Sequence, residues 1–227
     1  MTKDKDEDFL GNLNKAPYIN SIPRISTLHE VYIDDYIDEP SKYRQLISLL
    51  HNASPDDEIF IYLNSGGGNL DTAAAIINGI AVTQAEVTAF ILGACHSAAS
   101  IIAMYCHQVH VFDSAYMMVH TASFASAGNT PTIKAHTDFT IKQVQKILED
   151  AYVGFLDARE LEQVKNGIEL WLDADQIKKR LANRGKALTK KAKAHELFAK
   201  EEEVKVNPEI VPDKKPKSRK KLEQTLE

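Results

Sequence analysis

From Val87 to Phe112 the chain carries no Asp, Glu, Lys or Arg. A run of this length has to be buried, either in a bilayer or in a protein core. Its interruptions speak against lipid. Gly93-Ala-Cys-His-Ser97 breaks it first, and His107, Gln108 and His110 follow, all of them costly in a membrane interior. A buried strand from Val87 to Leu92, a turn over Gly93–His96 and a buried helix from Ser97 to about Tyr105 accommodate the same residues without that cost.

The flanking segments repeat the pattern. Val31-Tyr-Ile is a short strand, and Glu39-Pro40-Ser41 opens a helix whose apolar side is Tyr43, Leu46, Ile47, Leu49 and Leu50. Ile59-Phe-Ile-Tyr-Leu63 is continuously apolar, as in a strand buried on both faces. It runs into Asn64-Ser-Gly-Gly-Gly68, after which a helix is predicted from about Asn69 to Ile80. Val109-His-Val-Phe and Tyr116–Val119 are further short strands. Strands and helices alternating at this spacing imply an α/β fold with a mainly parallel sheet and right-handed crossovers.

Beyond it, Thr121–Gly128 is a loop and Pro131 suits the first turn of a long helix running to Leu156. Ile141, Val144, Leu148, Ala151 and Phe155 give that helix a narrow apolar seam, for which either its own core or another subunit is a suitable partner. A shorter helix spans Asp157–Asn166 and ends at Gly167; Leu170-Trp-Leu172 is a strand. Asp173-Ala-Asp-Gln176 caps a last helix to about Asn183.

Three parts follow: a polar arm over 1–22, a folded domain over 23–185, and a charged tail over 186–227 that reads as disordered. The tail is either a solvated segment or one that docks a partner or contacts nucleic acid. With 27 basic and 32 acidic residues the net charge is -5, so no global basic field for nucleic acid exists. Cys95 and Cys106 match neither a disulfide framework nor a zinc spacing, and a reducing compartment is the simpler setting.

Two strand-end turns carry the chemistry. The glycines of Asn64-Ser-Gly-Gly-Gly68 allow close backbone approach, and free N–H groups there can hold an anion or a developing oxyanion; the spacing is neither that of a P-loop nor of a dinucleotide fingerprint. In Gly93-Ala-Cys-His-Ser97-Ala-Ala-Ser100, Ser97 stands at a strand-to-helix turn, where it is either a nucleophile or an ordinary N-cap. A serine nucleophile needs a base, and His120 emerges at a strand end, although a structural histidine would look the same. Glu169, just before the Leu-Trp-Leu strand, has no capping role and is either the carboxylate that orients the base or a surface acid.

In this order the segments resemble the proteolytic subunit of the Clp protease, a serine peptidase family, and are most similar to its divergent bacteriophage and prophage members. The likeness runs from about Ile25 to Leu181. Asn64-Ser-Gly-Gly-Gly-Asn-Leu70 is similar to the family's Asn-Ser-Pro-Gly-Gly turn. Gly93 through Met104 resembles the nucleophile segment, Met117-Met-Val-His120 the histidine segment, and Glu169-Leu-Trp-Leu-Asp-Ala174 the acid segment. Three positions depart: His96 replaces a small residue, Glu169 an aspartate, and Thr121-Ala follows the histidine in place of Gln-Pro or Asn-Pro. Ser100 lies at the wrong distance from Gly93 to be the family's nucleophile.

The resemblance implies a serine endopeptidase with Ser97, His120 and Glu169 as catalytic groups, and Gly67, Gly68 and Ala98 at the oxyanion and substrate-binding positions, with no metal or other cofactor. It implies a crotonase-like spiral of repeated β-β-α units with a protruding handle helix over about 131–156. It implies protein or peptide substrates and homo-oligomeric rings, commonly heptameric and stacked in pairs. The setting would be the cytoplasm of a bacterium or phage-infected host, with an AAA+ unfoldase or phage capsid and scaffold proteins as partners and no role for membrane or nucleic acid. Two other readings stand beside it: an acyl-CoA hydratase or isomerase of the same superfold, and a catalytically impaired assembly or scaffold protein.

Overall fold

The computed structural model of the protein describes residues 25–186 and 188. The arm expected over 1–22 and nearly all of the expected tail lie outside the described residues.

Six strands form one sheet in the order β1-β2-β3-β5-β6, with β4 attached to β3. They are β1 (Leu28–Ile33), β2 (Glu58–Ser65), β3 (Glu86–His96), β4 (Gln108–Val111), β5 (Tyr116–Val119) and β6 (Leu170–Asp173). All pairings are parallel except β5 with β6. A short 3-10 turn, Pro40–Tyr43, leads into α1 (Arg44–Asn52). The other helices are α2 (Leu70–Val82), α3 (Ala98–Tyr105), α4 (Thr130–Ala151), α5 (Ala158–Lys165) and a last one, α6, over 174–186.

The charge-free run makes β3, α3 and β4. α3 is buried on every side from Ala98 to Met104, which its small and aliphatic residues allow. No helix among the described residues is long and apolar enough to cross a membrane.

Three expectations are corrected. The segment expected as a turn at Gly93–His96 continues β3, because Ala94, Cys95 and His96 pair with Tyr116, Met117 and Met118 of β5. Ile59, Ile61 and Leu63 of β2 are fully buried, but Phe60 and Tyr62 on the other face are only half-buried, so the strand alternates. The long helix stops at Ala151, with Tyr152 as its C-cap, not at Leu156. Its seam splits: Val144, Leu148 and Ala151 enter the chain's own core, while Ile141 stays exposed.

The topology places the site. The first half of β3 pairs with β4 and its last residues pair with β5. β4 and β5 thus diverge along one strand, and the carboxyl ends of β2, β3 and β5 open onto one crevice, where ligands bind in sheets of this kind.

Candidate active site

Ser97 joins β3 to α3 with φ 52 and ψ −122, and among the described residues it is the one non-glycine with positive φ. Such a backbone costs about 1–3 kcal/mol and persists where surrounding contacts over-determine it. Here the Ser97 N–H donates to the Met118 carbonyl at 2.8 Å. The Ser97 carbonyl accepts from the Ile101 N–H at 3.2 Å and from the Ser100 hydroxyl at 2.7 Å. The side chain makes no capping bond to α3, which separates this serine from an ordinary N-cap.

Its hydroxyl instead meets His120: Oγ and Nε2 are 2.8 Å apart. His120 follows directly on β5, and the His96–Met118 register carries it alongside the serine turn. With the imidazole proton on Nδ1, Ser97 donates and Nε2 accepts, the arrangement general-base catalysis requires.

The glycine turn packs against this pair. Gly67 has φ 88, and a β-carbon on it would come within 3.1 Å of the Ala98 nitrogen. A β-carbon on Gly68 would lie 2.2 Å from the Ile37 carbonyl oxygen. The turn is pinned to the segment before α1. Ser65 Oγ donates to the Asp35 carbonyl at 2.6 Å, and the Ile37 N–H to the Gly67 carbonyl at 2.9 Å. The Gly67 N–H is committed to Ser65 Oγ at 3.1 Å. The N–H groups of Gly68 and Ala98 are not taken up by these bonds, and both residues line the cleft.

Glu169 is placed differently. Val119 pairs with Leu170, so the antiparallel register brings Glu169 opposite His120. Its carboxylate nevertheless accepts from the Trp171 indole N–H at 3.2 Å, and among the described residues no hydrogen bond joins it to His120. Asp173 is the N-cap of α6, in reciprocal bonds with Gln176 of 2.8 and 3.0 Å.

His96 points its ring at Tyr116 and edge-on to Trp171, with centroids 5.0 and 5.1 Å away. Its Nε2 is buried without a hydrogen-bond partner. Burial, and secondarily the neighbouring His120, hold the imidazole below its ordinary pKa. Burial also pushes the Cys106 thiol up to about 12 and Cys95 higher still, so neither thiol is a competing nucleophile. Ser100 is fully buried, and its hydroxyl is shared between the Ser97 carbonyl and the Tyr152 hydroxyl.

Ser97 and His120 open into a cleft of about 620 Å³ whose apolar wall comes from Leu70, Ile101, Met118, Val144 and Leu148. Sequence reasoning passed over His136, Tyr36 and Phe124, which also line it, and Tyr152 beneath it. His136 gave no signal beyond its place on a helix. Tyr152 gave one, the extension of an apolar seam by a residue with a polar tip.

No curated protein matches the chain. The Clp protease family profile matches residues 19–179, well over half of the 227 residues. The chain therefore belongs to the Clp protease family, a family of serine-type peptidases.

Proposed function

We propose that the protein is a serine endopeptidase acting on protein substrates. The observation that carries this reading is the 2.8 Å contact between Ser97 Oγ and His120 Nε2 at a turn that holds the serine out of helix capping. Oγ attacks the peptide carbonyl as His120 takes its proton. The N–H groups of Gly68 and Ala98 receive the developing oxyanion, and His120 returns the proton to the leaving amine. A water then repeats the sequence against the acyl-enzyme. Glu169 serves as the acid after leaving Trp171 and turning toward Nδ1 of His120, the residue it faces if the Val119–Leu170 register is continued by one position.

The finer family reading is proposed with it. The domain over 23–185 forms the spiral of β-β-α units, and α4 is the handle through which rings assemble. Its exposed apolar residues support this: Ile133, Phe139 and Ile141 are 36%, 62% and 41% exposed. Substrates are cut in the chamber such rings enclose, in the cytoplasm, in a protein of the phage and prophage type. Sedimentation at high protein concentration is expected to show rings, and a monomer throughout would end that part. One observation favours a second reading, an assembly protein with impaired catalysis: the resting partner of Glu169 is an indole, not an imidazole.

The test is covalent labelling with a fluorophosphonate followed by mass mapping. The adduct is expected on Ser97 and absent from Ser97→Ala. Absence of an adduct on the wild-type protein, or equal labelling of Ser97→Ala, overturns the peptidase reading.

A further inference from the structure

A buried pair of hydroxyls behind the site reaches the nucleophile from the far end of α4. Ser100 and Tyr152 are 0% and 1% exposed, and their hydroxyl oxygens are 2.6 Å apart. A serine hydroxyl has one proton. The Ser100 proton lies toward the Ser97 carbonyl at 2.7 Å, so in the shared bond Tyr152 donates and Ser100 accepts. Burial pushes the Tyr152 phenol well above its usual range, which keeps it a donor. The result is a directed chain, Tyr152 O–H to Ser100 Oγ and Ser100 O–H to the Ser97 carbonyl.

That carbonyl matters because Ser97, with φ 52 and ψ −122, is strained and has to be held there by its contacts. The Ile101 N–H, at 3.2 Å, is a long bond for the same carbonyl. The Ser100 hydroxyl is the shorter restraint on that side of the turn, and the Met118 carbonyl holds the other side through the Ser97 N–H. Tyr152 is itself immobilised as the C-cap of α4, its N–H on the Leu148 carbonyl at 3.0 Å. Arg184 bonds the Ala151 and Met104 carbonyls, so α3 is tied to the end of α4 at both of its own ends.

We propose that Tyr152 and Ser100 are positioning residues for the proposed hydrolysis, clamping the strained Ser97 turn so that Oγ stays on His120 and the cleft. The inference rests on the peptidase reading for its kinetic consequence, but its geometric consequence does not.

Tyr152→Phe removes one oxygen, and Ser100→Ala removes the relay. Both, and the double variant, are made in the full chain. Fluorophosphonate labelling is resolved into its maximal rate and its half-saturating concentration. The maximal rate is expected to fall about tenfold in each single variant, with half-saturation within about twofold and the double variant no slower than the slower single one. A merely structural role would lower thermal stability and leave the labelling rate of the folded protein unchanged; that result overturns the proposal. If Ser100→Ala does not fold, Tyr152→Phe carries the test, since its shape is retained. A second readout is independent of peptidase activity: the imidazole nitrogen NMR shifts of His120. Tyr152→Phe is expected to weaken the hydrogen-bond signature at Nε2, and unchanged shifts overturn the clamp. Failure of the wild-type protein to label at Ser97, with the shifts still moved by Tyr152→Phe, refutes the peptidase reading and the kinetic role while leaving the geometric clamp standing.

Discussion

A β-carbon built on Gly67 would lie 2.8 Å from the β-carbon of Ser97 and 2.6 Å from the His96 carbonyl oxygen. The turns ending β2 and β3 therefore touch at a point where no side chain fits, and the φ of 88 at Gly67 adds strain to any substitution. At Gly66 nothing stands within 4 Å of such a carbon. Gly67→Ala is expected to destabilise the protein by about 1–3 kcal/mol and to abolish phosphonate labelling. Gly66→Ala is expected to leave the unfolding midpoint in urea almost unmoved. Equal midpoints for the two variants would contradict this account.

Glu169 and Trp171 give a prediction with opposite signs. In the proposed mechanism the indole N–H, which holds the carboxylate at 3.2 Å, competes with His120 for it. Trp171→Phe removes the competitor and is expected to raise the labelling rate several-fold. Adding Glu169→Gln should cancel that gain. A gain that survives Glu169→Gln would show that the acid takes no part in it.

His96 makes stability depend on pH. Its imidazole is held below the ordinary value, chiefly by burial and secondarily by His120. The unfolded chain then binds this proton more readily than the folded one. The contribution is present above the ordinary histidine value of about 6.5 and is lost as pH falls through and below it. His96→Phe also removes the unpartnered Nε2. The variant is expected to lose less stability than the wild-type protein between pH 8 and pH 5.5 in urea titrations. An identical loss in both would remove His96 as the cause.

Glu160 also loses its contribution as pH falls, but because its charged form is favoured in the fold. Arg180 donates to both of its oxygens at 2.7 Å, and this pairing, foremost, holds the carboxyl below its usual range. Glu160 Oε2 also accepts from the Asp157 N–H at 3.1 Å, closing the capping box of α5. The stability it supplies is complete above the ordinary glutamate range and fades as pH drops through the folded value. Glu160→Gln is expected to cost about 1–3 kcal/mol at pH 7, with the gap to the wild-type protein narrowing toward pH 3. Arg180→Lys should not restore a two-pronged contact. A gap that stays constant with pH would assign the loss to packing.

Much of the layout is written in short stretches of residues. The apolar run Ile59–Leu63, the glycines after Ser65, the Pro131 start of α4 and the Asp173–Gln176 cap each act within a few positions. Periodicity and turn chemistry of this range are legible directly in residue order. So is the placing of Ser97 and His120 just after β3 and β5, and of Glu169 just before β6. Residue order did not give the continuation of β3 through His96, because that strand is completed by Tyr116–Met118, some twenty residues on. Nor did it give the end of α4 at Ala151, where Tyr152 is the C-cap and is buried with its hydroxyl on Ser100.

Side-chain partners are the part that residue order leaves open. Ser97 could cap α3 or face an imidazole, and its φ of 52, together with the tethers from Met118 and Ser100, selects the second. Glu169 arrives opposite His120 by strand register, yet its carboxylate turns to Trp171, two residues further along the chain. Local propensities are set by neighbours in the chain and survive without a fold. A rotamer and its hydrogen-bond partner are settled by groups that meet only once the sheet has closed around them.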